Sequence, residues 1–574
     1  MSVAAQHSER GTRVRTPIGV NGYSGGEARE IATPSNRLQR RPRGRLWYEL
    51  KVPELTNDST DASTVTETFS RRRIGPETLA VALALALLAV AVRVPGIGEP
   101  PFEFHPTRQY RSLILSRSFA LAEDDASPAA NAARHAAQQT RALEPPLVEL
   151  LAAAAYRLVG GERIWVGRFL SVVSWVAASF FVLSLGRRFG GDFGGISAMA
   201  VFLFTPFAVV ASRSFQPDPT MVGLAVLSLW WTWRYAEKPS RAGLIAAGLS
   251  AGIAALLKPT AWLFTIIPFV ALALFEPGQP IRRRVSVASI YTAIAVAVPL
   301  LYYVPALFLG SSLADQAQDT FSLLPLATGT FWRGWVALLE RLPGFVILVA
   351  GLIGLVMTPP GRTRRFLVAL WCGYPILGLL FSYHIHTHDY YGLPILIAVS
   401  LSISVLAGSI EAIARRAWPE RTGTLLLTGI LALSVLLAAG SVIARVTAIG
   451  GLPIVDEWRR AGEVVNHSTR TVFLARWYGE PLQYHGELSG ILWPSSDDMS
   501  FAAREGVPPD TAEHRLQQYI ADGAEYFVVT DLDDLEEQPD LARMLARFPL
   551  VTASEDLLVF DLRGYRSSRQ SPDP

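Results

Sequence analysis

Long apolar segments are the feature that most constrains this chain. Half of its 574 residues are hydrophobic and only 18% are charged, whereas soluble globular domains carry about 25% charged residues. Several of the apolar segments approach or exceed the roughly 18 residues that a helix needs to cross the hydrocarbon core of a bilayer. The sequence therefore predicts an α-helical polytopic membrane protein.

Eleven apolar segments are interpreted as transmembrane helices: 77–94, 166–186, 193–211, 219–236, 242–257, 260–275, 285–309, 333–357, 365–383, 390–408 and 422–446. Every clear arginine-rich cluster between them falls on one side of the membrane when the first cluster, residues 71–73, is cytoplasmic. Basic loops are retained in the cytoplasm. We therefore expect a multi-pass protein of the plasma (inner) membrane, with a cytoplasmic N-terminus and an extracytoplasmic C-terminal segment.

A shorter apolar segment, 146–159, is not counted among these spans. Counting it would reverse every later loop and place the arginine clusters outside. We interpret it as a juxtamembrane helix at the outer interface. A short additional span is the alternative.

The chain divides into three predicted regions. Residues 1–75 are polar and aperiodic, which is typical of a disordered tail, and residues 76–450 form the transmembrane region with a long first outer loop over 95–165. Residues 451–574 alternate strands with helices, so we expect a small soluble α/β domain outside the membrane. Its predicted elements are strands 471–474, 526–529 and 557–560 and helices 456–466, 511–522 and 535–547. No glycine-rich phosphate-binding motif lies at a strand–helix junction, and no nucleotide or nucleic-acid partner is expected.

Polar residues cluster at the outer ends of the spans. Placing them close to lipid costs free energy, so we expect them to bind a ligand there. Glu103 lies between two phenylalanines, and partial desolvation would raise the pKa of its carboxyl group toward the range useful for acid/base catalysis. A solvated loop glutamate is the alternative. His105 would orient a substrate or bind its phosphate, unless it simply precedes the proline that begins a helix.

Two cations near this face are candidates for binding an anionic group. Arg108 begins the helix after His105, and Lys258 is the only lysine in the membrane region. Snorkelling toward the headgroups is the alternative for both. Asp218 occupies another outer turn, where we expect a structural or binding role.

Three of the nine histidines, His384, His386 and His388, stand directly before Asp389 and Tyr390. We expect this segment to bind a phosphate or sugar hydroxyls. A metal site is the less favoured alternative, because no second set of ligands accompanies these imidazoles. Tyr390 and Tyr391 fit an interfacial aromatic belt or a platform for a sugar ring equally well.

Four stretches carry a resemblance to a known family. They are Phe102-Glu103-Phe104-His105-Pro106-Thr107-Arg108-Gln109, then Glu144-Pro145-Pro146-Leu147 leading to Gly167-Arg168-Phe169-Leu170-Ser171, then Leu257-Lys258-Pro259-Thr260, and finally His388-Asp389-Tyr390-Tyr391-Gly392-Leu393-Pro394. Over about 77–410 the chain resembles the GT-C integral-membrane glycosyltransferases. The likeness is greatest to family 39, the protein O-mannosyltransferase-like and lipid A aminoarabinose transferase-like enzymes.

The resemblance implies a GT-C fold and the transfer of a sugar from a polyprenyl-phosphate donor to a glycan, lipid or protein acceptor at the outer face. In that family an acidic residue of the first outer loop, normally aspartate, acts as the base, and Glu103 matches its position with one methylene more. A single displacement would invert the anomeric centre. The residues assigned to the donor phosphate are Arg108, Lys258, His386 and His388, and those assigned to the substrate are His105, Glu144, Asp218, Asp389 and Tyr390. No cofactor is expected, with a divalent metal as the alternative.

Two other functions stay open from the sequence alone. A secondary transporter would show inverted repeats and polar groups at the bilayer midplane, whereas no clear repeat is present and the polar residues gather at one face. A non-catalytic scaffold of the cell envelope, whose C-terminal domain binds glycan, is the other alternative.

Overall fold

The computed structural model of the chain describes residues 74–122, 125–140, 144–308, 324–419, 422–447, 454–504 and 510–564. The predicted tail, residues 1–75, lies outside these described residues except for its last two positions. The side chain of His386 also lies outside them.

Apolar helices build the first and larger part of the fold, and their side chains form one extended core. In chain order the α-helices are α1 Pro76–Arg93, α2 Pro106–Ala120, α3 Pro128–Gln139, α4 Leu147–Leu158, α5 Ile164–Phe204, α6 Pro206–Ser212, α7 Pro217–Glu237, α8 Arg241–Leu257, α9 Ala261–Leu274, α10 Ile281–Phe308, α11 Gly329–Arg341, α12 Phe345–Met357, α13 Arg362–Leu380, α14 Ser382–Thr387, α15 Ile395–Ala417 and α16 Thr422–Thr447.

The multi-pass character predicted from the sequence is confirmed. Among the described residues, five helices are long and apolar enough to cross a membrane, and a sixth is added if the bent pair α11 and α12 forms one span. Helices α8 and α9 are apolar but shorter, with 17 and 14 residues. The number of eleven spans stays a prediction.

Helix α5 contains a break where two predicted spans meet. Gly190 and Gly191 leave the helical conformation, and Gly191 has a φ of 72°, which glycine adopts without steric cost. A Cβ atom on Gly190 would overlap the carbonyl oxygen of Ser404 in α15. The break therefore lies where the backbones of α5 and α15 are in close contact.

The predicted span over 333–357 consists of two helices and not of one. Helices α11 and α12 meet at a bend of 86°. Pro343 and Gly344 lie at the junction, and Gly344 has a φ of 77°. Proline lacks the N–H that would continue the helix and its ring clashes with the preceding turn, so the apolar pattern continues while the backbone turns.

Helices α2, α3 and α4 lie within 95–165, the segment predicted to be the first outer loop. Helices α2 and α3 begin with proline, whose missing N–H costs nothing in the first helical turn. Helix α4, the segment interpreted as juxtamembrane, has 12 residues and is about 18 Å long. It is too short to cross a hydrocarbon core of about 30 Å.

A five-stranded sheet and six helices follow from residue 454. The strands are β1 Thr471–Leu474, β2 Gly490–Leu492, β3 Tyr526–Val529, β4 Leu550–Ala553 and β5 Leu558–Asp561, in the spatial order β2-β1-β3-β5-β4. The helices are α17 Ile454–Val464, α18 Glu480–Gly486, α19 Ser496–Arg504, α20 Ala512–Ala521, α21 Leu532–Glu536 and α22 Pro539–Leu545. Strands β2, β1 and β3 are parallel, and β5 and β4 are antiparallel to their neighbours.

The three strands predicted in this region are present. Strands β2 and β4 were missed, because β2 has three residues and β4 is largely exposed at the sheet edge.

The outer-loop helix α2 is attached to this C-terminal region. Arg117, in its last turn, donates to the carbonyl of Tyr484 at 2.7 Å and to Glu162 at 2.7 Å. The Tyr484 hydroxyl donates to the same carboxylate at 2.6 Å. Tyr110 lies 2.8 Å from a ring nitrogen of His485. The position of α2 is thus fixed from the side of the sheet as well as by the membrane helices.

Candidate functional site

Tyr390 lies at the centre of a cluster of polar residues from three distant segments. The centroid of its ring is 4.7 Å from the centroid of His105, 4.3 Å from Nζ of Lys258 and 5.7 Å from Cζ of Arg108. The structure therefore brings together residues that the sequence assigned to the substrate and to the donor phosphate.

Local structure explains how these side chains meet. His105 precedes α2 and Arg108 lies in its first turn, while Lys258 follows the last residue of α8. Tyr390 belongs to a 3-10 turn, Asp389–Gly392, between α14 and α15. Each of the three segments lies at a helix terminus near a proline, namely Pro106, Pro259 or Pro394, and the chain changes direction there.

The ammonium of Lys258 is buried and paired. Its Nζ donates to Asp218 Oδ1 at 2.7 Å and lies 3.9 Å from the centroid of Tyr391. An ammonium carries three donor hydrogens, and Asp218 takes one of them. The remaining donors are available to an anion that enters beside the two tyrosine rings.

Arg108 is held by Glu144. Its Nη2 donates to Glu144 Oε1 at 3.0 Å. Burial alone would raise the pKa of Glu144, but the charges of Arg108 and Lys258 outweigh burial and hold the pKa below its ordinary value. A guanidinium has five N–H donors, so this pair also leaves donors for a second acceptor.

His105 contacts the other side of the cluster. Its Nε2 lies 2.6 Å from Oδ1 of Asp389, and Oδ2 of Asp389 accepts from Nη1 of Arg341 at 3.2 Å. Asp389 is thus shared between an imidazole and an exposed guanidinium of α11.

The histidine segment contributes rings in addition to Tyr390. His388 lies 5.5 Å from His384 and 5.6 Å from Tyr390, measured between ring centroids. His386 lies in α14, and its assignment to the donor phosphate stays a prediction because its side chain is outside the described residues. Across the described part of the chain, no group of three histidine, cysteine or acidic side chains is close enough to hold a metal ion.

Glu103 contacts a different set of residues from the cluster around Tyr390. Its carboxylate forms ion pairs with Arg168 and with Arg213, whose Nε is 3.5 Å away, and its side chain is 7% exposed. Arg168 also donates to the backbone carbonyls of Gly96, Ile97 and Glu99. Glu103 therefore fixes the start of the outer loop, and no ion pair joins it to Arg108 or Lys258 among the described residues.

Sequence reasoning missed three contributors to these interactions. Arg341, Arg168 and Arg213 received no role, whereas Tyr391 was predicted together with Tyr390. For Arg168 and Arg213 a signal existed, because each is an arginine within or beside an apolar span and needs a partner there. For Arg341, which lies on the amphipathic helix α11, nothing in the sequence indicated that it meets Asp389.

Comparison with known proteins supports the fold of this chain. The family model of the dolichyl-phosphate-mannose-protein mannosyltransferases matches residues 143–303, the segment that contains Glu144, Asp218 and Lys258. The structure of ArnT from Cupriavidus metallidurans in the apo state superposes with a TM-score of 0.52 at 16% identity, covering 90% of this chain and 100% of that one. The chain has the GT-C fold.

Two further proteins are similar to this chain. The archaeal oligosaccharyltransferase AglB from Archaeoglobus fulgidus matches with a TM-score of 0.51 at 14% identity, covering 83% of this chain and 72% of that chain. The lipopolysaccharide core galacturonosyltransferase RgtA of Rhizobium johnstonii is 25% identical over 233 residues, or 39% of this chain. The match covers 45% of RgtA, less than half of its length.

Proposed function

We propose that the chain is a membrane glycosyltransferase that moves a sugar from a polyprenyl-phosphate donor to an acceptor hydroxyl. The observation that carries this proposal is the arrangement of Lys258 and Arg108 around the ring of Tyr390. Two cations beside one aromatic ring suit a substrate in which a phosphate is joined to a sugar. The GT-C fold, the mannosyltransferase family match and RgtA support the same reaction class.

A lipid-linked donor follows from the same chemistry. Lys258 and Arg108 would donate to the phosphate oxygens, where negative charge grows as the sugar leaves. The AglB structure contains a dolichol-phosphate, which supports a polyprenyl phosphate as the lipid part. The acceptor would be a glycan, a lipid or a protein hydroxyl, and no cofactor is required for this displacement.

This proposal also includes the side of the membrane, the stereochemistry and the catalytic base that were predicted from the sequence. The reaction would take place at the extracytoplasmic face of the inner membrane, with the sheet region on that side. A single displacement would invert the anomeric centre. Glu103 is the carboxylate base predicted from the sequence, although its ion pairs with Arg168 and Arg213 favour a role in holding the outer loop.

The test begins with deletion of the gene in its source organism. Envelope lipids, glycans and proteins are compared by mass spectrometry, and the strain is complemented with the wild-type chain or with Lys258→Ala. We expect one sugar to disappear from its acceptor, a polyprenyl-phosphate sugar to accumulate, and only the wild-type chain to restore transfer. Unchanged envelope glycans would contradict the proposal and favour the transporter or the scaffold.

A binding measurement with a defined probe complements the genetics. Purified chain in detergent is titrated with undecaprenyl phosphate while its thermal unfolding is followed. We expect stabilisation of the wild type that is lost in Arg108→Ala and Lys258→Ala. The exposed lysine Lys238 supplies the matched control, and Lys238→Ala is expected to bind the probe normally.

A further inference from the structure

The backbone of His105 adopts a conformation that few residues tolerate. Its φ is 43° and its ψ is 66°, in the left-handed region where a Cβ atom is disfavoured. The following residue is Pro106, which restricts the preceding residue toward extended conformations. Such strain persists where the surroundings hold it in place, and it is concentrated at functional sites.

The ring of His105 is fixed by contacts on several sides. It packs edge-on against Phe104 and Tyr390, with centroid distances of 4.6 and 4.7 Å. Its Nε2 lies 2.6 Å from Asp389 Oδ1. An ionised carboxylate only accepts hydrogen bonds, so Nε2 carries the hydrogen and donates it.

This tautomer leaves the other ring nitrogen with a lone pair. Nδ1 of His105 has no hydrogen-bond partner in the described part of the chain, and the side chain is 28% exposed. A neutral imidazole held by a carboxylate through one nitrogen is the usual arrangement of a general base. Asp389 is itself held by Arg341 at 3.2 Å.

The charged and titratable groups around this imidazole come from several elements. Asp389, Tyr390 and His388 approach from the turn before α15, Arg108 from the next turn of α2, and Arg341 through Asp389. The ring of Tyr390 therefore contacts both the imidazole, at 4.7 Å, and the ammonium of Lys258 that would bind phosphate, at 4.3 Å.

We propose that His105 is the catalytic base of the sugar transfer and that Asp389 positions it. The inference rests on the proposed function. Nδ1 of His105 takes the proton of the acceptor hydroxyl as its oxygen forms a bond to the anomeric carbon. The bond between that carbon and the phosphate oxygen breaks, and its electron pair leaves with the polyprenyl phosphate. The imidazolium, stabilised by Asp389, then returns its proton to water.

In this scheme Glu103 is a positioning residue. It anchors the loop through Arg168 and Arg213, while His105, two residues later, faces the cluster. The assignment replaces the carboxylate base predicted from the sequence with an imidazole that a carboxylate orients.

The experiment measures sugar transfer by membranes containing the wild type, His105→Gln or Asp389→Asn. The donor is the lipid-linked sugar that accumulates in the deletion strain. Glutamine keeps a donor for Asp389 but cannot accept the proton, so we expect transfer to fall by about 10²–10⁴-fold, with undecaprenyl phosphate still bound. A rate that falls at acidic pH in the wild type should lose this dependence in His105→Gln. Added imidazole should partly restore transfer to His105→Ala.

A second His–Asp pair in the chain provides the control. His514 Nδ1 lies 2.8 Å from Asp510 Oδ1 and is exposed, so His514→Gln should leave transfer unchanged. Transfer by His105→Gln within threefold of the wild type would overturn the assignment of the base while leaving the glycosyltransferase proposal intact. Failure of the wild type itself to transfer the sugar would overturn both. If His105→Gln loses transfer together with probe binding, and imidazole does not rescue His105→Ala, the residue is structural and the inference is wrong.

Discussion

The ammonium of Lys258 lies 2.7 Å from a carboxylate oxygen of Asp218, and both side chains are almost completely buried. The pair joins the end of α8 to the start of α7. Removing one partner of a buried pair leaves an uncompensated charge, which costs about 3–5 kcal/mol, whereas replacing both by apolar residues costs far less.

We therefore expect Lys258→Met and Asp218→Leu each to lower the free energy of unfolding by about 3–5 kcal/mol. The double variant should be more stable than either single variant and inactive in transfer. Denaturant unfolding of the purified chain in detergent checks the stabilities, with Lys238→Met as the exposed control. Additive losses in the double variant would show that the two charges do not stabilise each other.

Glu103→Gln distinguishes two roles for this carboxylate. Because it is the counter-charge of two buried arginines, we expect the variant to be less stable by about 3–5 kcal/mol. Thermal unfolding measures this loss, with Glu536→Gln in an exposed position as the control. A variant of normal stability that has lost only sugar transfer would instead support Glu103 as the predicted base.

Glu480 makes the attachment of the outer loop dependent on pH. Burial raises the pKa of Glu480 to about 7, and Arg111, 3.6 Å away, opposes the shift only in part. Between its ordinary pKa of 4.5 and this value, the folded chain retains a proton that the unfolded chain has released, so stability falls as the pH rises. The contribution, about 3 kcal/mol, is complete below pH 4.5 and lost as the pH passes 7.

The corresponding experiment records thermal unfolding between pH 5 and 8 for the wild type and for Glu480→Gln. The wild type should lose stability with rising pH more steeply than the variant, because glutamine does not titrate. Glu536→Gln should keep the wild-type slope. Identical slopes for Glu480→Gln and the wild type would exclude Glu480 as the origin.

Gly190 is expected to tolerate no side chain. A Cβ atom there would overlap the Ser404 carbonyl and force α5 and α15 apart, so Gly190→Ala should reduce the yield of folded protein and its unfolding temperature. Gly429→Ala is the matched control, since nothing lies within 4 Å of its added Cβ. In a helix interior, alanine is more stable than glycine by about 1 kcal/mol. Equal unfolding temperatures for the two variants would contradict this account.

Sequence patterns predicted most of the architecture because apolar periodicity determines where helices form. The helices around 76–93, 217–237 and 422–447 lie within a few residues of the predicted spans. The bend at Pro343 and Gly344 was missed because hydropathy reports burial in lipid and not the direction of the backbone. The edge strand β4 was missed because its exposed side chains carry no apolar pattern.

The sequence predicted which residues lie in the cluster around Tyr390, but it did not predict which of their charged groups form ion pairs. Polar groups at a membrane face cost free energy unless they have a function. This argument identified His105, Arg108, Lys258 and Tyr390. Which carboxylate meets which cation depends on how α2, α7 and α8 converge, and this is a property of packing between segments far apart in the chain. Glu103 shows the difference, since its neighbours Phe102 and Phe104 suggested a desolvated acid while its actual partners come from α5 and from the turn after α6.

Helix α2 bears Arg108 in its first turn and Arg117 in its last, so one helix connects the cluster around Tyr390 with the sheet region. Exchanging the sheet region for that of a relative would tilt this helix and move Arg108 without altering a single residue of the site. Chimaeras between such proteins should therefore inherit their substrate preference partly from a region that contributes no residue to the cluster around Tyr390.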